Sequence, residues 1–130
     1  MPPSRLTSVQ QLTYVIVLCD DLARMKLFYR DLFAFAVDSE SATSLALQAG
    51  SVLLGLRQRT RDYDGQGLRT ALPGVQLAFR VSPAEVDLCH EQLVAKGVTI
   101  VDPPTDQPRG HRTVYFTDPE GNLLEIYAEI

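Results

Sequence analysis

The chain has 130 residues, the length of one domain, for which about 150 residues is the usual allowance. Sixteen acidic against twelve basic residues leave a net charge of −4 and a pI near 5.0, which argues against a nucleic-acid binder with its basic patch. No apolar run reaches the ~18 residues of a membrane span. No apolar stretch follows Met1-Pro2-Pro3-Ser4-Arg5 as it would in a secretory leader. Cys19 and Cys89 lie in apolar segments. They read as small buried hydrophobes of a reducing, cytoplasmic compartment rather than as a disulfide.

The chain reads twice. Its first copy spans 12–56 and opens with the β-rich run Leu12-Thr13-Tyr14-Val15-Ile16-Val17-Leu18. Asp20-Asp21 supplies a helix start, because a carboxylate satisfies free N–H groups there. From Leu22 to Phe33 the residues Leu22, Met25, Phe28, Tyr29, Leu32 and Phe33 form one stripe at three-to-four spacing, a helix with a buried face. Three short strands follow at 35–38, 43–48 and 51–56, with Ala49-Gly50 as a tight turn.

A linker at 57–73, rich in Arg, Gly and Asp, reads as a surface loop. The second copy, 74–128, starts with the alternating strand Val75 to Val81. Ser82, Pro83 and Glu85 make a capping-box helix start. That helix turns Val86, Cys89, Leu93 and Val94 inward and stops at Gly97. Strands at 98–101, 112–117 and 122–128 complete it, the last two joined by the turn Asp118-Pro119-Glu120-Gly121. Each copy is β-α-β-β-β. The pattern predicts an α+β fold in which two βαβββ modules form a curved mixed sheet around a cavity, with helices on the outer face.

Alternation along strands assigns side chains to faces. Val75, Leu77, Phe79 and Val81 point to the helices, which leaves Gln76, Ala78 and Arg80 on the other face. In the last strand Leu124, Ile126 and Ala128 form the apolar set, and Leu123, Glu125 and Tyr127 oppose it. Glu125 reads either as a paired carboxylate, with Arg80 as partner, or as a metal ligand or acid–base group. The helix-free face is part apolar and part polar, the signature of a small-molecule pocket; a buried dimer interface made of the same residues is the alternative.

Two segments carry a resemblance. Asp21-Leu22-Ala23-Arg24-Met25-Lys26-Leu27-Phe28-Tyr29-Arg30-Asp31-Leu32-Phe33-Ala34-Phe35 resembles a D-L-x-x-S-x-x-F-Y-x-x-x-L-G-F element, with Met25 for the usual Ser and Ala34 for the usual Gly. Gly110-His111-Arg112, with Phe116-Thr117-Asp118-Pro119-Glu120-Gly121-Asn122-Leu123-Leu124-Glu125, resembles a G-x-R…F-x-D-P-x-G-N-x-x-E element. Both belong to the vicinal oxygen chelate superfamily of glyoxalase I, bleomycin-resistance proteins, fosfomycin-resistance enzymes and extradiol dioxygenases. The resemblance implies paired βαβββ modules around a U-shaped cavity, and in the enzymes one divalent metal on its floor. The ligands come from the first and last strand of each module. Carried over residue by residue, those positions fall on Tyr14, Leu54 (Gly55 with a one-residue slip), Gln76 and Glu125.

Only Gln76 and Glu125 are usual ligand types. A leucine or glycine offers no lone pair and a neutral tyrosine is a poor ligand, so a metal site with an open coordination position is not expected. No cofactor is expected; a divalent ion held by Gln76 and Glu125 is the alternative. His90 reads as an exposed helix residue and His111 as a loop histidine. Arg57, Arg59, Arg61 and Arg69 with Tyr63 make the linker a candidate lid over an anionic or carbonyl-bearing ligand, although ten of the twelve bases are arginines and the loop's charge is partly composition. Arg112 matches the element's arginine and is expected to brace the cavity end. The ligand-binding set is therefore Tyr14, Leu54, Arg57, Tyr63, Gln76, Arg80, Arg112 and Tyr127, with Glu125 as the catalytic candidate.

The reading that follows is a metal-free, bleomycin-resistance-like binder of a small organic molecule. A metal-dependent lyase, isomerase or dioxygenase and a non-catalytic dimeric interaction module are the alternatives. The resemblance and the free sheet face both imply a homodimer. No nucleic-acid or membrane partner is expected.

Overall fold

The computed structural model describes residues 5–65 and 75–130. In chain order the elements are β1 (Tyr14–Cys19), α1 (Leu22–Leu32), β2 (Ala36–Ser41), β3 (Ser44–Ala49), β4 (Val52–Gln58), a short 3₁₀ turn (Asp62–Asp64), β5 (Gln76–Arg80), α2 (Pro83–Ala95), β6 (Ile100–Gln107), β7 (His111–Thr117) and β8 (Leu123–Glu129). Each module builds its own four-stranded sheet, in the orders β1-β4-β3-β2 and β5-β8-β7-β6. The first and last strands of each module pair in parallel and the other pairs are antiparallel. The fold is thus α+β, with two mixed sheets and, among the described residues, no closed barrel.

Both helix starts form as their sequences dictate. The Asp21 carboxylate accepts from the Arg24 N–H at 3.1 Å, and Glu85 reaches back to the Ser82 N–H at 3.2 Å. Leu22, Met25 and Tyr29 of α1 are buried with Val17, Cys19, Leu45, Leu47, Leu54 and Leu56, and the same core continues through Val86, Leu93, Val114, Phe116, Leu124 and Ala128. Val94, expected to point inward, is 55% exposed. It follows Leu93 by one residue, which turns it about 100° away from the buried stripe.

One strand is longer than its sequence signals. β6 runs through Pro103-Pro104 to Gln107, past the expected end at Val101. It lies at the edge of its sheet, where a missing N–H costs no ladder bond, and its register slips between Ile100 and Thr105.

The two resembling segments meet in the interior. The Tyr29 hydroxyl donates to Asp118 Oδ2 at 2.8 Å. The same carboxylate accepts from the Glu120 and Asn122 N–H groups at 2.9 and 3.0 Å and from Asn122 Nδ2 at 2.8 Å. It is 4% exposed. Glu120, two residues further on in the same turn, accepts from the Asp20 N–H at 2.9 Å and the Asp21 N–H at 2.8 Å. The β7–β8 turn of one module therefore clamps the β1–α1 junction of the other. Gly121 closes that turn at φ +84°, a left-handed conformation that glycine reaches without a Cβ penalty. Burial, then the Asp118 charge, pushes the Tyr29 phenol far above its ordinary range, so it remains a donor.

Removing only this donor tests the clamp. Tyr29→Phe is expected to cost about 1–2 kcal/mol, because Asp118 keeps three other donors; Asp118→Ala strands several polar groups and costs more. Urea melts read both. A neutral Tyr29→Phe would show that the hydroxyl bond does not tie the modules.

Candidate functional site

The outer face of the second sheet carries the polar residues. On β8, Leu124, Ile126 and Ala128 point into the core at 0, 6 and 0% exposure, which turns Leu123, Glu125 and Tyr127 the other way. Register sets their neighbours: Ala78 and Tyr115 flank Glu125, Arg80 and Thr113 flank Tyr127, and His111 lies opposite Glu129. Directly paired residues share a face, so one band runs across three strands.

At its centre Glu125 is 7% exposed. Gln76 Nε2 donates to it at 3.1 Å. Arg109, from the β6–β7 turn, reaches within 4.0 Å of its other oxygen and donates to the Tyr115 hydroxyl at 2.8 Å. A buried carboxylate needs such partners, since its desolvation is otherwise uncompensated. Beside this cluster the His111 ring stacks on Tyr127, centroids 4.9 Å apart. Arg80 pairs with Glu129 at 3.0 Å in open solvent. Glu125 therefore has Gln76 and Arg109 as partners, and Arg80, the partner expected from sequence, belongs to Glu129.

The first sheet presents the counterpart. Tyr14 pairs with Leu53 and Ile16 with Gly55, just as Gln76 pairs with Leu123 and Ala78 with Glu125. Gly55, not Leu54, is thus the structural equivalent of Glu125. Leu54 points to the opposite side and is buried in the core at 4% exposure; a single residue along a strand reverses the face. The Tyr14 ring lies over Gly55, where a Cβ would come within 2.5 Å of Tyr14 Cε1. Tyr14 and Ile16 are 42 and 49% exposed.

Gln76 and Glu125 are brought together, and so are Tyr14 and Gly55. Among the described residues no hydrogen bond, ion pair or ring contact joins the two pairs. The links between modules lie elsewhere, in the Asp118 clamp and in the contact of Phe33 with Phe79, whose centroids are 4.6 Å apart.

Several predicted residues lie away from this band. Arg57 makes a bidentate pair with Asp64 at 2.7 and 2.9 Å, and Arg59 approaches Asp20 at 3.3 Å, so both brace the end of β4 rather than a ligand. Arg112 stands opposite Ala128 and bonds Asp106 at 2.8 Å and Asp87 of α2 at 2.9 Å. It ties β6 to α2 on the helix side. The Tyr63 side chain and Arg69 lie outside the described residues. His90 is half-buried on α2 rather than exposed. Sequence reading missed Arg109 and Tyr115. Alternation along β7 places His111, Thr113 and Tyr115 on the Glu125 face, a signal present in the sequence; the reach of Arg109 across its turn has no such signal.

The donor set does not fit a resident divalent ion. The four positions offer one carboxylate and one amide, with a tyrosine and a glycine opposite. No group of three or more His, Cys, Asp or Glu converges among the described residues. Metal sites that do chemistry hold the ion by about three protein ligands and keep one position open. What the band can do is accept hydrogen bonds at Glu125, donate them from Arg109, Gln76 and Tyr115, and present the Tyr127 ring.

Two βαβββ modules, each with its first and last strands paired in parallel, define the class of fold. The chain belongs to the Glyoxalase/Bleomycin resistance protein/Dioxygenase superfamily, whose family model matches residues 11–126. It is similar to Virulence protein STM3117 of Salmonella typhimurium, 24% identical over 91% of this chain and 83% of that protein. It is also similar to Metallothiol transferase FosB of Staphylococcus saprophyticus, 24% identical over 92% of this chain and 78% of that one. Among solved structures, a glyoxalase/bleomycin resistance protein/dioxygenase from Nocardioides superposes with a TM-score of 0.77 at 25% identity, over 94% of this chain and 85% of that one.

The Arg57–Asp64 pair predicts a pH dependence. The guanidinium of Arg57, helped by the Arg61 N–H, holds the Asp64 carboxyl well below the usual range. A depressed folded pKa stabilises fully above the unfolded value, about 3.9, and its contribution fades as pH falls through that value toward the folded one. Asp64→Asn is therefore expected to be less stable than the parent at neutral pH, with the gap closing below about pH 4. Thermal melts across that range check it; a gap independent of pH would contradict the assignment.

Proposed function

We propose that this chain is a small-molecule binder of the superfamily, working without a resident metal ion, and that its ligand lies against the Gln76–Glu125–Arg109 band. The observation that carries this reading is the engagement of Glu125. Its carboxylate is bridged by an amide and a guanidinium, where a cation would otherwise need it bare. A ligand hydroxyl, amine or amide can take the place of the Arg109 contact, because Arg109 is half-exposed and stands 4.0 Å from the carboxylate, beyond hydrogen-bond reach. The ring faces of Tyr127 and Tyr14 favour an aromatic body.

We further propose that two copies pair, so that the Tyr14–Gly55 face of one closes over the Gln76–Glu125 face of its partner. The exposed Tyr14 and Ile16 on the edge strand β1 support this, since neighbouring exposed apolar residues on one face are suited to an interface. The unpaired thiols Cys19 and Cys89 suit a reducing compartment such as the cytoplasm. No helix among the described residues is long and apolar enough to cross a membrane.

A metal-dependent reading draws on the resemblance, which implies ligand positions at Gln76 and Glu125, and on a relative named a metallothiol transferase. It requires Arg109 to leave Glu125 and further donors to arrive. The interaction-module reading keeps the paired sheets but gives the band no ligand.

A thermal-shift screen of aromatic molecules bearing hydroxyl, amine or amide groups tests the binder. A ligand at about 100 times its Kd adds about 2.7 kcal/mol and raises the midpoint by several degrees. The shift is expected to disappear in Glu125→Gln and Arg109→Ala, each costing about 1 kcal/mol of stability by itself. Hits that survive both variants, or the absence of any hit, would overturn the reading.

A further inference from the structure

A hollow of about 630 Å³ opens between the modules, bounded by the end of α1, the residue before β2, the β3–β4 turn, strand β5 and the C-terminal half of α2. That volume lies within the ~300–1,000 Å³ of small-molecule sites. Its wall is aromatic: Phe33, Phe35 and Phe79 meet there, with Phe33 centred 4.6 Å from Phe79 and 5.2 Å from Phe35. Leu93 and Ile126 line it further, and Gln92 and Lys96 are the polar groups of α2 on it.

The charges at this hollow are unequal. Arg80 lines it too, but its guanidinium is paired with Glu129. Lys96, the exposed residue that ends α2, makes no ion pair among the described residues. Asp31 shares an adjoining smaller hollow with Lys96, yet the two do not pair. Among the described residues that line the hollow, the Lys96 ammonium is therefore the one charge without an ionic partner, beside an aromatic wall.

We propose that this hollow is a binding site for an aromatic monocarboxylate of about two fused rings, its rings against Phe33 and Phe79 and its carboxylate at Lys96. Rings packed offset or edge-on gain about 0.5–1.5 kcal/mol beyond their burial, and the ammonium discriminates an acid from its neutral or cationic analogue. Phe79 and Ile126 face the helix side of the sheet that carries the Gln76–Glu125 band outward, and the hollow meets that band only along β5, where Ala78 and Arg80 also line it.

Cys89 lines the hollow and is half-buried, which makes it a reporter. Cys19 is wholly buried, and burial, then Glu120, pushes its thiol up to about 12, so it is the internal control. The full-length protein is treated with N-ethylmaleimide, and modification of each cysteine is followed by peptide mass spectrometry. Naphthylacetate, naphthylmethanol and naphthylmethylammonium are compared below their aggregation limits. Naphthylacetate at about ten times its Kd is expected to slow Cys89 about ten-fold by mass action, with the alcohol and the ammonium far weaker. Lys96→Glu should reverse the order of acid and ammonium. The milder Lys96→Gln should remove the acid's advantage over the alcohol, and circular dichroism confirms that both fold. Equal slowing by all three compounds, no slowing by the acid, or protection by the acid undiminished in both variants would overturn the proposal. So would a Cys89 that is blocked without ligand and released on dilution, because a second copy would then fill the hollow.

Discussion

The buried carboxylate of Asp118 is the constraint on which the rest depends. A βαβββ module has one face covered by its helix and one face bare, and two such modules can meet in more than one way. Here Asp118 collects the Tyr29 hydroxyl from the first module and three donors from its own turn. The tie joins the helix side of one module to the turn of the other. As a consequence the bare face of each sheet stays turned outward, with Tyr14 and Ile16 exposed on the first and the Glu125 band on the second. The residues that make the chain look like its family are, in this pair of motifs, those that hold the modules together.

What the second face can do follows from how its acid is satisfied. An ionised carboxylate this buried is stable only with partners. In a metal site the partner is the cation and neighbouring ligands share it. Here Gln76 and Arg109 take that place, and Gly55 stands where a second acid would be needed. Gly55 also has a packing reason, because the Tyr14 ring occupies the space a side chain would fill. Tyrosine over glycine turns that half of the face from a coordinating surface into an aromatic one.

Much of the fold was legible because its signals are local. The helix stripe of α1, the capping box at Ser82 to Glu85 and the turn at Asp118 to Gly121 each depend on residues a few positions apart. β6 was read short because Pro103-Pro104 argues against a strand, and only its place at the sheet edge makes two prolines tolerable. The candidate site was legible in part. Gln76, Glu125 and Tyr127 follow from alternation alone. The choice between Leu54 and Gly55 turned on a one-residue register that only strand pairing fixes. Arg57 and Arg112 looked available because their partners, Asp64, Asp87 and Asp106, are separated from them in sequence. Arg109 was missed because its reach to Glu125 is set by the path of a turn.

The central claim is that protein groups, not a cation, satisfy the acid of the second sheet. The most direct measurement is metal stoichiometry on the purified full-length protein, equilibrated in turn with Zn²⁺, Ni²⁺ and Mn²⁺, dialysed against metal-free buffer and read by elemental mass spectrometry. The account predicts far less than one ion per chain, unchanged in Glu125→Gln. One ion per chain, lost in that variant, would contradict it.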